Sequence, residues 1–424
     1  MYRVAAMIST SLPWQVRYEP GVPSDVPAPR FAFPSLLSNA AADAPGYPAL
    51  VFFNHRYSYA QLSAEVERAA GACLRSGLQP GDRVLFGLPN GPQAVVAALG
   101  ALAAGGVLVP LPGGIDGDGL ARICARAEPR LALLSPRLAE RMLVSRPAPP
   151  GGLVVVDPDE GLGLDLRLLR RVFGRRSAAV TAMGRAWRDW LADGEGRTLP
   201  DLAPDAPALQ IHDPHSAGRT AFQFEHRHLM AGVSQLRVWL TDARPGDDTW
   251  LLLAPVGEAF GLTLGLGTAF DMRARLVLAP TVAPEAIGDI LRYLRPAYVL
   301  TTGSAVQTLV ARPELARMDL RSVRAWITGD DVGAATAAAF EAATGLELCQ
   351  GFAPPGTAGL ATCNPINGKR VAGSVGLPMP GVDLRLGQGL ELAGPNLACD
   401  GWLAAARRAR VDEAGFLYIG SSRP

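Results

Sequence analysis

The chain has 424 residues, 49% of them apolar and 19% charged, with a formal net charge of +1. This length accommodates two or three domain-sized units with large buried cores, and the composition excludes intrinsic disorder. The near-neutral balance excludes a global positive field for nucleic acid.

In chain order, the start "MYRVAAMISTSLPW" lacks the apolar run of a secretory leader, so none is expected. "PALVFFNHRYSYAQLSAEVERAAGACLRSGL" reads as strand, turn, strand and amphipathic helix. Leu62, Val66, Ala69, Ala70 and Cys73 fall on one helical face. "GDRVLFGLPN" is a short buried strand, "PQAVVAALGALAAGG" a helix closed by glycine, and "VLVPLP" and "RLALLS" two further strands. Leu85 to Ile115 is uncharged and long enough to span a bilayer, but Gly105, Gly106, Pro110 and Pro112 divide it into buried helix and buried strand. "TWLLLAP", "ARLVLAP", "AYVLTT" and "VRAWITG" resume the pattern, with helices "PEAIGDILRYL" and "GAATAAAFEAAT" between them. Strands alternating with helices predict an α/β class with mainly parallel sheets. From about Gly373 the helices stop, and short strands punctuated by Gly and Pro predict a small β-barrel.

Base usage is lopsided: Lys369 is the one lysine. Any mechanism that needs a lysine has that one candidate, because arginine does not lose its proton. Cys73, Cys124, Cys349, Cys363 and Cys399 are scattered and odd in number, the pattern of reduced thiols in a cytoplasmic protein. Residues 165–197 are Arg-rich, with Arg167, Arg170, Arg171, Arg175, Arg176, Arg185 and Arg188 among apolar and Trp residues. A peripheral contact with anionic lipid at the inner membrane face is one reading. A solvated link between lobes is the commoner meaning of such a run.

"IHDPHSAGRTAFQFEHRHL", Ile211 to Leu229, holds four of the five histidines. His212, Asp213, His215, His226 and His228 have the donor types of a metal site. HxH and HxxH spacings without cysteine are unspecific, and no metal is expected.

The order of segments "YPALVFFNHRYSYAQL", "LQPGDRVLFGLPNGPQAVVAALGALAAGGVLVPL", "LLLAPVGEAFGLTLGLGTAF", "CNPINGKRVAGSVGLPMPGVDLRL" and "GWLAAARRARVDEAGFLYIG" resembles the adenylate-forming superfamily, specifically bacterial long-chain fatty-acid–CoA ligases. The resemblance covers nearly the whole chain. It implies a large domain of two α/β lobes beside a small β-barrel. It also implies activation of an acid by ATP and Mg²⁺ and transfer to coenzyme A, completed by a small C-terminal domain carrying a lysine. The expected divisions are 1–78, a lead-in and the N-terminal part of the second lobe; 79–205, the first lobe; 206–372, the second lobe; and 373–424, the barrel, ending at the family's hinge. The C-terminal domain is expected to be absent.

The family's phosphate loop is rich in Ser, Thr and Gly and ends in Pro-Lys-Gly. Matching His226-Arg227-His228-Leu229 to the family's His-Arg-Asn-Leu places that loop on His212, Asp213, Pro214, His215, Ser216, Ala217, Gly218, Arg219 and Thr220. Pro214 offers no N–H, Asp213 repels phosphate, and Thr220 stands on the lysine position, with Arg219 beside it. In "QGFAPPGTAG", Gly351 and Phe352 match the adenine side, but Pro355 replaces the Thr and Gly356 the Mg²⁺-binding Glu. Arg407 stands where an Asp accepts from the ribose hydroxyls, and it has donors only. In "APVGEAFGL", Glu258 and Gly261 fall on the acyl-pocket side, with Glu258 on a His position where its charge disfavours an anionic acid. Gly329 of "ITGDD" matches an adenine-side glycine, followed by Asp330 and Asp331. Lys369 lies in a loop before "VAGSVG" and does not match the catalytic lysine.

These substitutions predict a ligase-like protein that has lost adenylation and binds a fatty acyl or acyl-CoA ligand, or a partner. The alternatives are an active ligase completed by a partner chain that supplies the missing domain, and a protein that binds metal or membrane through its His cluster or Arg-rich segment. Gly329, Gly351 and Phe352 could equally be kept for packing alone.

Overall fold

The computed structural model describes residues 12–27, 29–145, 147–157, 184–212, 221–279, 281–405 and 408–420. Among the described residues two large sheets form the frame. One has seven strands, in the spatial order Arg185–Ala186, Leu153–Val155, Leu131–Leu134, Arg83–Gly87, Val107–Pro110, Pro207–His212 and Ala221–Glu225. All neighbours are parallel except the last pair. The other has nine strands, in the order Leu377–Pro378, Thr362–Cys363, Cys349–Phe352, Ala325–Thr328, Tyr298–Thr301, Thr249–Leu252, Arg275–Leu278, Pro48–Phe52 and His55–Ser58. Its centre is parallel and its margins antiparallel. The α/β class with mainly parallel sheets is therefore the observed one.

The strands at 207–225 pair into the first sheet through Leu108 and Leu209. Their alternation of apolar residues suits either sheet, and only the pairing partner decides.

Period-two alternation explains the layers. Val84, Leu131 and Leu133 point to one core, and Leu85, Ala132 and Leu134 to another. In the second sheet Trp250 and Leu252 face the shared core and Leu251 and Leu253 the outer one. Two helices, Tyr59–Arg75 and Pro92–Ala103, lie in the shared core. Ser58 and Gln61 cap the first of them reciprocally. The two helices approach closely because Gly100 lacks a side chain: a Cβ there would stand 2.5 Å from that of Ala69. Helices Gly117–Ala127 and Pro136–Ser145 cover one outer face, and Pro284–Leu294, Gly303–Val310 and Ala334–Thr344 the other. Each fully buried Leu or Trp contributes roughly 1.5–3 kcal/mol relative to exposure.

The expected β-barrel is not closed among the described residues. Asp383–Leu386, Leu390–Ala393 and Leu403–Ala404 form a three-stranded antiparallel sheet, and Ala409–Val411 pairs with Leu417–Ile419 as a separate hairpin. Strands of two to four residues leave too few ladder positions to close a ring. They instead share one small core of Val375, Leu390, Leu392, Leu397 and Leu417. The lead-in is tied to this region by the Tyr18 hydroxyl, which donates to the Pro378 carbonyl at 2.7 Å. The five cysteines form no disulfide, and the sulfurs of Cys349 and Cys363 lie 3.7 Å apart. Among the described residues no helix is long and apolar enough to cross a membrane.

Candidate functional site

The cleft between the two large sheets is bridged by Asn90, just after the strand Arg83–Gly87. Its amide donates to the Ala254 carbonyl at 2.9 Å and accepts from the Val256 N–H at 2.9 Å. This holds "APVGEAFGL" of the second lobe against the first. Gly257 permits the approach, since a Cβ there would stand 2.8 Å from the Phe86 ring. Asn90 is a cleft residue that the sequence did not single out. Its bond partners are distant in the chain, so spacing carried no signal for it.

Glu258 lies in the same segment. It keeps contact with solvent while the cleft walls crowd it. That desolvation first, and the charge of Asp330 second, push its carboxyl above the ordinary range. Asp330 and Asp331 have local work of their own: the Asp330 carboxylate accepts from the Gly303 N–H at 2.8 Å, and that of Asp331 from the Gly333 N–H at 2.9 Å. Glu258 therefore stands within electrostatic reach of Asp330, a poor setting for a further bare carboxylate.

Gly261 opens a π-helical stretch, Gly261–Gly267. A Cβ at Gly261 would stand 1.9 Å from the Pro255 carbonyl oxygen. Close backbone approach is thus sufficient reason for glycine there.

The positions that the resemblance assigns to the adenine side come together, since the strand before Gly329 pairs with the one that holds Gly351 and Phe352. A Cβ on Gly329 would meet the Phe260 ring at 2.8 Å. A Cβ on Gly351 would stand 2.5 Å from Leu360 and 2.8 Å from the Thr362 carbonyl. Phe352 is buried and packs with Val375, Leu390 and Leu417 of the small β core. Phe260, an apolar residue with no motif of its own, covers the backbone that the resemblance assigns to adenine.

Three parts of the fold meet at Gly356. Its φ is +92°, a left-handed conformation that residues with a Cβ rarely adopt. In the direction of its missing side chain lie Leu403 Cδ2, 2.7 Å from an ideal Cβ, and the Phe222 ring, 3.0 Å from it. Phe222 comes from the seven-stranded sheet and Leu403 from the three-stranded one. Any side chain here, a carboxylate included, would be strained by the backbone and would have to displace the ends of Leu403 and Phe222.

Of the expected phosphate loop only His212 is described. It ends its strand buried, with Nε2 3.0 Å from the Gln210 amide nitrogen. Residues 213–220 and Arg407 lie outside the described residues, as does most of the Arg-rich segment. His226 and His228 begin the helix His226–Trp239. The His228 ring nitrogen Nδ1 accepts from the Glu225 N–H at 3.0 Å, so it caps the helix. His226 is fully buried, and neither ring nitrogen has a hydrogen-bond partner among the described residues. Burial lowers its pKa to about 4. Among the described residues no group of three or more His, Cys, Asp and Glu side chains could hold a metal. Lys369 is exposed in its loop.

Residues 37–393 match the AMP-binding enzyme family. The chain is 23% identical to a long-chain-fatty-acid–CoA ligase of Bacillus subtilis, over 97% of this chain and 80% of that protein. The solved structure of the anthranilate CoA ligase AuaEII in complex with anthranoyl-AMP shares the fold, with a TM-score of 0.77 at 16% identity over 93% of this chain and 78% of that one. ATP-bound MatB from Rhodopseudomonas palustris gives a TM-score of 0.74 at 22% identity, over 91% and 78%. With its parallel-sheet lobes, bridged cleft and family match over most of its length, this chain belongs to the AMP-binding enzyme family.

Proposed function

We propose that this chain is a ligase-like member of the family whose adenylation chemistry is lost, and that it acts by holding a fatty acyl or acyl-CoA ligand. The observation that carries the reading is Gly356. It carries no carboxylate to hold Mg²⁺ on the nucleotide, and its left-handed backbone, with Leu403 and Phe222 in the side-chain direction, disfavours one. The acidic pair Glu258 and Asp330 supports it, because a free acid is repelled where a thioester, without that charge, is not. The fatty-acid ligases among its relatives support an acyl chain as the ligand class.

ATP–pyrophosphate exchange with a long-chain fatty acid is expected to stay at the level of the acid-free control. Calorimetric titration with a long-chain acyl-CoA, without ATP, is expected to give saturable binding. Exchange by the purified chain would overturn the reading. Exchange that appears only after addition of a lysine-bearing partner chain would establish the completed-ligase alternative.

Restoring the family's residue is expected to fail. Gly356→Glu forces a Cβ into a left-handed conformation and against Leu403 and Phe222, at a cost of about 2–3 kcal/mol. Urea denaturation measures the loss, and no exchange activity should accompany the substitution.

A further inference from the structure

A cavity of about 410 Å³ opens at the N-terminal ends of the first sheet's strands. It is formed where the helix Tyr59–Arg75 ends, where Gly151 and Gly152 lead into Leu153–Val155, and where Arg185 begins its own strand. His212 ends one strand of the same sheet and Asn90 follows another, both at the opposite, C-terminal side. The cavity is therefore separate from the cleft.

Its charge is distinctive. Arg75, Arg185 and Arg197 line it with a single carboxylate, Asp193. Asp193 pairs with Arg185 at 2.5 Å, and the Asp189 carbonyl also accepts from Arg185 at 2.7 Å. Arg75 and Arg197 have neither an ion pair nor a hydrogen bond among the described residues. Two guanidinium groups are thus uncommitted at one cavity.

The rest of the wall is rigid and already satisfied. Trp190 is buried, and its indole N–H donates to the Ser76 hydroxyl at 2.9 Å, which itself donates to the Ala72 carbonyl. Gly151 sits so close to the Arg130 and Ser76 carbonyls, 2.7 and 2.8 Å from an ideal Cβ, that no side chain can fill the floor there. At Gly152 the φ is +101° and the side-chain direction is open space. The uncommitted charges of the lining are the guanidinium groups of Arg75 and Arg197, and the volume is that of a small-ligand site.

We propose that this cavity is an anion site for a small phosphorylated compound, bound by Arg75 and Arg197 with Arg185 held in place by Asp193. Planar guanidinium forks match phosphoryl oxygens in pairs, and the net charge of the lining selects a dianion or a more highly charged group. The site does not depend on the adenylation reading.

The test is calorimetric titration of the full chain with inorganic pyrophosphate at low salt and without magnesium. One saturable site is expected, weakened as KCl rises. The double variant Arg75→Gln, Arg197→Gln should lose about tenfold or more in affinity. The pair Arg75→Lys, Arg197→Lys should keep much of it, and both should melt with the parent because the two arginines are exposed. Absence of binding at millimolar pyrophosphate overturns the proposal. So does unchanged affinity in the Gln variant, which would place the anion elsewhere. Equal binding of citrate overturns the preference for phosphate.

Discussion

Gly261→Ala is expected to destabilise the protein by about 3–4 kcal/mol, more than any other single methyl addition at the cleft positions. The new Cβ would stand 1.9 Å from the Pro255 carbonyl oxygen and 2.7 Å from its carbon. These are backbone atoms, so rotating a side chain cannot relieve the overlap. The turn at Pro255 is itself fixed from both sides: its carbonyl accepts from the Glu258 N–H, and the next residue is held by Asn90. Either the π-helical stretch Gly261–Gly267 or the bridge between the lobes must move. Urea denaturation of the variant, followed by circular dichroism, gives the loss. A change below about 1 kcal/mol would show that the segment yields easily, and would reopen a ligand-facing role for Gly261.

The second large effect is a loss of stability in acid that depends on His226. Its imidazole is fully buried, and burial lowers its pKa from the ordinary 6.5 to about 4. The unfolded chain therefore takes up this proton below pH 6.5, while the folded protein does not until about pH 4. Stability is complete above 6.5 and falls as pH drops through that window, by about 3 kcal/mol in all. His228 is shifted in the same direction, first by burial and then by Arg227, and adds to the fall. In His226→Leu one proton is removed from the linkage. At pH 7 little should be lost, because the ring nitrogens give up no hydrogen bond. Denaturation curves collected from pH 7 to pH 4 should be visibly flatter for the variant. Equal slopes in the two proteins would assign the acid sensitivity to other groups.

Both effects concern residues that the sequence placed in the region of the site, yet it assigned them by resemblance and not by environment. The short apolar runs of "GDRVLFGLPN" and "RLALLS" are local and marked buried strands without help; that Val84 and Leu133 face one core while Leu85 and Leu134 face another follows from strand periodicity once both sides of the sheet are covered. Gly and Pro punctuation marked where helices stop, as in the glycine-closed helix Pro92–Ala103. The departures at Pro355, Gly356 and Glu258 were legible too, because a residue type states its own chemistry wherever it stands. That a carboxylate is missing from position 356 needed only the sequence. What fills its place needed the fold, since Phe222, Gly356 and Leu403 are far apart in the chain and meet only when three sheets pack. The same holds for Phe260 over Gly329, for Asn90 across the cleft, and for the pairing of 207–225 into the first sheet. Local pattern determines which face of an element is apolar. Only tertiary packing decides which distant side chain covers that face, because that choice depends on the shape and pairing of every other element.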